Sequence, residues 1–439
     1  MIDGLPKGWA YKKLRFVGRF LSSGIDKKIV DGDPLVKMIN YTDIYGNKTL
    51  KLDNSREFME VSCPAPKQKS CQVHYGDLIF TPSSETIEDI GVSALVDEHL
   101  TDTVFSYHVL RFTFTEKVYH EFKKYLCNND WVLSEFSRVA KGTTRQILNR
   151  NDFNSIRVIL PPFQEQVRIA DFLDQKTSEI DELISAKEKL LKLLEEKKVS
   201  IITRAVTKGL DPEVKMKYSG IDWLGDIPEH WRVGRLKDYV LCNMESLSEN
   251  SEPDYEIEYV DISSVNFTEG ISNKELITFE KAPSRARRIV RKGDVIISTV
   301  RTYLKAIARI EQKDESCIVS TGFAVLTPKS MLDSKYLYIY VRSKNMIDAI
   351  MANSVGVSYP AISPTRLISL TIPVPPLDEQ LNIVKDIELK LIYMKNLEAT
   401  IIKAIVKLKE YRISIITAAV TGRMDLNKLK QEHQDEKTH

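Results

Sequence analysis

At residues 161–166 the chain reads Pro161-Pro162-Phe163-Gln164-Glu165-Gln166, and at residues 375–380 it reads Pro375-Pro376-Leu377-Asp378-Glu379-Gln380. Each stretch opens a long run without glycine or proline, which ends at Gly209 in the first copy and at Gly422 in the second. Proline at the start of a run and glycine at its end are typical of a helix. The sequence therefore predicts two helices, each roughly 65 Å long at ~1.5 Å per residue.

Both runs carry mostly apolar residues in alternating steps of three and four, which is the heptad pattern of a coiled-coil seam. In the first run these positions are Ala170, Leu173, Thr177, Ile180, Ile184, Lys187, Leu191, Leu194, Lys198, Ile201 and Ala205. In the second run they are Val384, Ile387, Leu391, Met394, Glu398, Ile401, Ile405, Leu408, Arg412, Ile415 and Ala419. We expect the two helices to pair antiparallel. The alternative is that each packs separately on its own domain or on a partner.

Further stretches recur around these helices. Pro6-Lys7-Gly8-Trp9 returns as Pro228-Glu229-His230-Trp231, and the helix ending Ser200-Ile201-Ile202-Thr203 returns as Ser414-Ile415-Ile416-Thr417. The chain is thus one scaffold written twice, with a pseudo-two-fold internal repeat. The two inserts are rich in short strand patterns. We expect an α+β protein in which two similar mixed α/β domains are separated by two long antiparallel coiled-coil helices.

The predicted divisions follow from these anchors. They are a first domain over 1–160, a long helix over 161–210, a linker over 211–230, a second domain over 231–374, a long helix over 375–423 and a flexible tail over 424–439.

Composition sets loose bounds on function. The 439 residues include 63 Lys and Arg against 61 Asp and Glu, so the net charge of +2 does not point to nucleic acid and any basic surface must be local. The five cysteines lack the close pairing of a metal knuckle and are typical of reduced residues in a cytoplasmic protein. No apolar run is long enough to span a bilayer. We expect a soluble chain in the cytoplasm.

Basic residues cluster once in each insert. The first cluster is Arg138, Lys141, Arg145, Arg150 and Arg157, and the second is Arg285, Arg287, Arg288, Arg291, Lys292, Arg301, Lys305 and Arg309. Lys and Arg bind phosphates, while Arg, Gln, Ser and Thr also reach base edges. A single basic run is usually a solvated surface. Two clusters on duplicated domains favour nucleic acid.

Catalytic motifs are missing from the sequence. Leu160-Pro161-Pro162-Phe163 imitates a methyltransferase motif, but its first residue cannot accept a hydrogen bond. No phosphate-binding Gly-x-x-x-x-Gly-Lys-(Ser/Thr) loop occurs. The histidines form no metal-binding pattern, and no metal site is predicted. We expect no enzyme activity from this chain on its own. An autonomous modification or nuclease enzyme is an alternative that turnover by the purified chain would support.

Other stretches extend the pattern, among them the linker Tyr218-Ser219-Gly220-Ile221-Asp222-Trp223-Leu224-Gly225 and the domain stretches Tyr41-Thr42-Asp43-Ile44-Tyr45, Ser298-Thr299-Val300-Arg301 and Ser320-Thr321-Gly322-Phe323. Together with the duplicated anchors they resemble the specificity subunit of type I restriction–modification systems, the non-catalytic chain that chooses the DNA sequence. The likeness covers nearly the whole chain.

The resemblance implies two target recognition domains, each reading one half of a bipartite, asymmetric site in double-stranded DNA, with the helices setting the unread spacer. It implies two methyltransferase subunits docked on the helices and two restriction and translocation subunits. S-adenosylmethionine, ATP and Mg²⁺ would then belong to those partners and not to this chain. The alternative is a coiled-coil protein-interaction scaffold without DNA sequence readout.

Candidate DNA-binding residues come from the loops of each domain. In the first domain they are Tyr41, Ser83, Ser84, Lys141, Thr143, Thr144, Arg145 and Gln146. In the second domain they are Arg287, Arg288, Arg301, Tyr303, Lys305, Thr321, Ser358 and Tyr359. For Tyr41 and Tyr303 the alternative is a core aromatic ring with its hydroxyl at the surface.

Overall fold

A computed structural model of the chain describes residues 5–426. This part divides into two compact units. The first unit comprises 5–187 with 403–426, and the second comprises 188–402. The six predicted divisions stay predictions, and residues 427–439 of the predicted tail lie outside the described residues. Between residues 5 and 426 no helix has the length and apolar character needed to cross a membrane.

The first unit contains a domain built on two sheets. Its strands are β1 (Ala10–Lys13), β2 (Gly18–Ser22), β3 (Leu35–Ile39), β4 (Lys51–Leu52), β5 (Met59–Ser62), β6 (Leu78–Phe80), β7 (Ser83–Ser84), β8 (Ser93–Val96), β9 (Thr103–Phe105), β10 (Leu110–Phe114), β11 (Gln146–Ile147) and β12 (Arg157–Leu160). Its helices are α1 (Leu14–Val17), α2 (Tyr41–Ile44), α3 (Ala65–Cys71), α4 (Lys123–Cys127), α5 (Asp130–Val139) and α6 (Arg150–Ser155), followed by the long helix α7 (Phe163–Lys208). The sheet orders are β2-β10-β6-β8-β4 and β5-β3-β9, with the pairs β1-β12 and β7-β11.

The second unit contains a domain of the same kind. Its strands are β13 (Met216–Tyr218), β14 (Asp226–Pro228), β15 (Arg232–Arg235), β16 (Val240–Cys242), β17 (Glu256–Val260), β18 (Val265–Asn266), β19 (Gly270–Ile271), β20 (Glu275–Thr278), β21 (Ala286–Ile289), β22 (Val295–Ser298), β23 (Ile307–Arg309), β24 (Ile318–Ser320), β25 (Phe323–Pro328) and β26 (Thr371–Val374). Its helices are α8 (Leu236–Tyr239), α9 (Ser334–Val341), α10 (Lys344–Ala352) and α11 (Pro364–Ile368), followed by the long helix α12 (Leu377–Val420). The two main sheets have the orders β16-β25-β22-β23 and β20-β17-β24-β21.

The two domains share one topology. The strand order β2-β10-β6-β8 of the first domain matches β16-β25-β22-β23 of the second, and β5-β3-β9 matches β20-β17-β24. The matching pairs β3–β9 and β17–β24 are both parallel, while the other pairs of these matched sets are antiparallel. The predicted α+β class and internal repeat are therefore confirmed.

Within each unit the early half of one long helix lies beside the late half of the other. In the first unit Arg412 Nε lies 3.0 Å from Asp181 Oδ1. In the second unit Lys198 Nζ lies 2.8 Å from Glu398 Oε2, so two polar positions of the predicted seam face each other. The apolar seam positions are buried or half-buried. The predicted antiparallel pairing is confirmed.

The helix ends explain the repeated Pro-x-x-Trp stretch. Gly209 and Gly422 end the two helices with φ of +74° and +71°, the left-handed conformation that glycine adopts most easily. A side chain at Gly209 would meet Trp231, and one at Gly422 would meet Pro6 and Trp9. Each tryptophan thus packs on the long helix that ends in its own unit, Trp231 on α7 and Trp9 on α12.

We predict that Trp231→Ala lowers the free energy of unfolding by about 3–5 kcal/mol, the usual cost of removing a large buried aromatic side chain. Trp231 lies in the core of the second unit, and its Nε1 donates to Glu379 Oε2 at 3.0 Å. Chemical denaturation of the full chain measures the change. Trp223→Ala is the matched control, because Trp223 is exposed in the same unit. Equal losses of stability from the two substitutions would contradict the placement of Trp231 in the core.

Candidate nucleic-acid interface

Each domain presents one short hairpin of the same length, residues 141–147 in the first and 355–361 in the second. The N–H groups of Lys141 and Ile147 donate to each other's carbonyls at 3.1 and 2.8 Å. Those of Val355 and Ala361 do the same at 2.8 and 2.9 Å. The two hairpins therefore have equivalent closing bonds, although their sequences differ.

The hairpins attach to equivalent places on the larger sheets. The Leu148 N–H donates to Pro82 O, and the Ile362 N–H donates to Thr299 O, both at 2.8 Å. Ile147 pairs with Ser83, and the equivalent bridge joins Ala361 to Val300. Each hairpin thus pairs with the segment that follows a central buried strand, β6 or β22.

A glycine makes each hairpin possible. Gly142 has φ +130°, and a Cβ there would lie 2.0 Å from Arg145 O. Gly356 has φ +108°, and a Cβ there would lie 3.1 Å from Tyr359 O. The backbone therefore folds closely over both glycines, which leaves the next residues at the tip.

The first hairpin presents polar side chains. Lys141, Thr143, Thr144 and Arg145 are exposed. Arg145 Nε donates to Ser83 Oγ at 3.2 Å, and Gln146 Nε2 donates to Gly142 O at 2.9 Å. The bond to Ser83 orients the Arg145 guanidinium and uses only one of its donors.

Tyr41 and Ser84 connect to this surface through a chain of contacts. Tyr41 stacks on Tyr45, with ring centroids 5.3 Å apart. The Tyr45 hydroxyl donates to Asp89 Oδ2 at 3.2 Å, and Thr86 Oγ1 donates to the same oxygen at 2.8 Å. This hydrogen bond to the Asp89 carboxylate raises the pKa of Tyr45. The half-buried Tyr41 therefore lies on the same side of the domain as the residues that follow β7.

Ser84, another of the predicted residues, lies beneath this surface. It is buried, and its hydroxyl accepts a hydrogen bond from the Thr86 N–H at 3.2 Å. The hydroxyl holds the turn after β7 and is not presented at the surface. Pairing of Ser84 with Gln146 in the β7–β11 ladder accounts for its burial.

The second hairpin lies among cationic and aromatic side chains. The Arg301 guanidinium lies over the Tyr359 ring, 5.1 Å from its centroid. Arg301, Tyr303, Lys305, Ser358 and Tyr359 are all exposed. Arg301 occupies the position equivalent to Ser84, because the residues before them, Val300 and Ser83, pair with the last residue of each hairpin. The structure brings these five predicted residues into two neighbouring segments.

The other three predicted residues of the second domain lie on or beside the second sheet. Thr321 is exposed, and its N–H donates to Arg285 O at 2.7 Å. Arg287 lies half-buried over the Phe279 ring at 4.9 Å. Arg288 is also half-buried, and its Nη1 donates to Ser246 Oγ at 3.2 Å. Arg287 and Arg288 are thus engaged within the domain, in contrast to Thr321.

Two exposed residues near this surface were not among the candidate DNA-binding residues, although Arg285 belongs to the predicted basic cluster. Arg285 Nη2 lies 2.8 Å from Asp261 Oδ2, and a hydrogen bond with Tyr259 together with the Asp261 charge raises the pKa of Arg285. Val357 is fully exposed at the hairpin tip. Val357 follows Gly356 as Thr143 follows Gly142, but an apolar residue at this position carries no charge pattern that points to DNA.

One group of residues in the described part of the chain has the spacing of metal ligands, namely Asp97, His120 and Glu121. The Lys51 ammonium lies 2.9 Å from Asp97 and 3.0 Å from Glu121. Burial raises the pKa of Asp97, but hydrogen bonds from Lys51 and His120 outweigh it and leave that pKa lowered. This network binds a lysine side chain where a cation would otherwise lie.

Comparison with known proteins shows which family the chain matches. A family model described as the type I restriction modification DNA specificity domain matches residues 27–193 and 228–424, which together form most of the chain. The MjaVIII specificity subunit of Methanocaldococcus jannaschii is 26% identical over 251 residues, 55% of this chain and 56% of that protein. This match spans little more than half the length of that relative. The putative MjaX specificity subunit of the same organism is 23% identical over 88% of this chain and 87% of its own length.

Solved structures show the same fold. A chain from a study of complex assembly and conformational transition in the type I R-M system aligns with a TM-score of 0.70 and 19% identity, covering 96% of this chain and 99% of that chain. The HsdS subunit from Thermoanaerobacter tengcongensis aligns with a TM-score of 0.58 and 20% identity, covering 97% and 100%. These alignments cover both units and both long helices.

We predict that Gly142→Ala opens the first hairpin, because the added methyl group would overlap Arg145 O and the residue would keep a positive φ. Hydrogen exchange of the Ile147 amide, which donates to Lys141 O, should become at least tenfold faster. Gly32→Ala is the control, since Gly32 also has positive φ but nothing within 4 Å of its added Cβ. Unchanged protection of Ile147 in Gly142→Ala would show that the hairpin does not depend on this glycine.

Proposed function

Because the chain belongs to the type I restriction–modification DNA specificity family, we propose that it selects the DNA site for such a complex, with one unit reading each half of a bipartite site. The observation that carries this proposal is the same hairpin built twice with different exposed side chains. One backbone frame with two sets of side chains suits the readout of two unlike half-sites. The family membership supports this function over a scaffold that does not read DNA.

The exposed side chains suit the two tasks of a DNA-binding surface. Lys141, Lys305 and Arg301 supply positive charge for phosphates, which fixes position without reading sequence. Arg145, oriented by Ser83, keeps its terminal nitrogens available for a guanine edge in the major groove. Thr143 and Thr144 offer hydroxyls beside it.

Arg287 and Arg288 have a supporting role in this proposal. Both are engaged with neighbours in the domain, so we assign them to support of the surface near Thr321 and not to first contact with bases. Ser84 likewise supports the turn after β7.

The long helices supply the spacing in this proposal. Each helix begins in one unit and ends in the other, and α7 alone is 46 residues long. At ~1.5 Å per residue such a helix exceeds one turn of DNA, ~34 Å, so it can set the unread length between half-sites.

Partner subunits complete the activity. We propose two methyltransferase subunits and two restriction and translocation subunits, which hold S-adenosylmethionine, ATP and Mg²⁺. Exposed apolar side chains along the helices fit protein docking, among them Leu389, Ile392 and Tyr393 in the second unit and Tyr411 and Ile413 in the first. Action on cellular DNA would place the complex in the cytoplasm.

The proposed function is tested by the methylation pattern of DNA from cells that express this chain with a methyltransferase subunit. Cells that express the methyltransferase subunit alone are the control. We expect a new split motif that requires both chains. A soluble complex that produces no motif would contradict sequence selection and would favour a protein-interaction scaffold.

We predict that Arg145→Ala weakens binding to the specific site by about 5- to 150-fold, the range of one good base contact, and relaxes selection at one base pair of one half-site. Arg138→Ala is the matched control, because Arg138 is exposed in the same unit and pairs with Glu135 at 2.6 Å. Competition binding with single-base variants of the site measures both effects. A uniform loss on all sequences would reassign Arg145 to phosphate binding.

A further inference from the structure

The second hairpin has an apolar tip that the first hairpin lacks. Val357 and Tyr359 are exposed at this tip, with Val357 fully exposed, while Val355 is exposed at the base of the hairpin. Val300, the residue that bridges to Ala361, is exposed as well. Single exposed apolar side chains are ordinary, but several in one short loop indicate a contact surface.

This tip is held in place before any ligand binds. The bridge between Val355 and Ala361 closes the hairpin, and the Ile362 N–H fixes it to Thr299 O. The Arg301 guanidinium stacks over the Tyr359 ring. A rigid backbone therefore presents Val357 without the cost of ordering a mobile loop on binding.

The surroundings indicate what the tip contacts. Arg301 and Lys305 are exposed beside the hairpin and place positive charge around an apolar centre. That combination complements DNA, whose phosphates flank a groove floor of base edges. In the major groove the apolar group that distinguishes base pairs is the C5-methyl of thymine.

Resting on the proposed function, we propose that Val357 recognises the C5-methyl group of a thymine in the half-site of the second unit. The equivalent tip of the first unit carries Thr143 and Thr144, which present hydroxyls as well as methyl groups. The two half-sites would then be read by different chemistry, with an apolar contact in the second unit and hydrogen bonds in the first.

The experiment replaces thymine by uracil, which removes only the C5-methyl group. The full chain is purified with a methyltransferase subunit, and the methylated motif is determined first. Binding is then measured on duplexes that carry uracil at one thymine position at a time. We expect one position, in a single half-site, to lose about three- to tenfold in affinity, as fits the burial of one methyl group against valine.

Two variants assign that loss to its residue. Val357→Ser should bind the thymine and uracil duplexes equally, and its full exposure means that the substitution removes no packing. Val355→Ser is the matched control, because the bridge to Ala361 holds Val355 at the base of the hairpin. This control should keep the difference between thymine and uracil.

Other outcomes separate the two proposals. If the complex selects its motif but no uracil position weakens binding, the valine contact is wrong and the proposed function stands. If Val357→Ser keeps the uracil effect, another residue reads the methyl group and the inference is overturned. If no motif is found and Val357→Ser instead releases the methyltransferase subunit, the tip is a protein contact and both proposals fail.

Discussion

A buried glutamine at the start of each long helix fixes the helix to the domain that precedes it. Gln166 Nε2 donates to Pro161 O at 2.8 Å, and its Oε1 accepts from the Tyr119 N–H at 2.8 Å. Gln380 does the same with Pro375 O and the Asp333 N–H, at 2.9 and 2.8 Å. A buried amide left without partners costs about 1–3 kcal/mol, so this geometry is strongly preferred. Each helix therefore leaves its domain in an equivalent direction.

The two hairpins can carry different tip side chains because the backbone frame does not depend on them. Main-chain hydrogen bonds close both hairpins and a glycine lies in each turn, so closure does not require the side chains of Thr143 and Val357. Thr143 and Val357 can differ completely while the backbone stays equivalent. Under the proposed function, this separation of a fixed frame from exposed side chains would let the DNA sequence preference change without loss of stability.

Sequence patterns were sufficient to predict the two long helices and the internal repeat. Proline entrances, glycine exits and the heptad spacing predicted α7 and α12, since helix periodicity depends on local spacing alone. The individual site residues were harder to predict. Burial of Ser84 results from its pairing with Gln146, sixty-two residues later in the chain, which no local pattern reveals. The exposure of Val357 likewise depends on the turn at Gly356 and on the hydrogen bond from the Ile362 N–H to Thr299 O, which fixes the hairpin to the sheet.

In the proposed function, the hairpin of each unit chooses the bases of one half-site. The most direct test of this choice replaces residues 355–361 by the sequence of residues 141–147 in the full chain, followed by determination of the methylated motif. We expect a change confined to one half of the motif, with the other half and the spacer length unchanged. An unchanged motif from a folded, active complex would contradict it, as would a change in both halves.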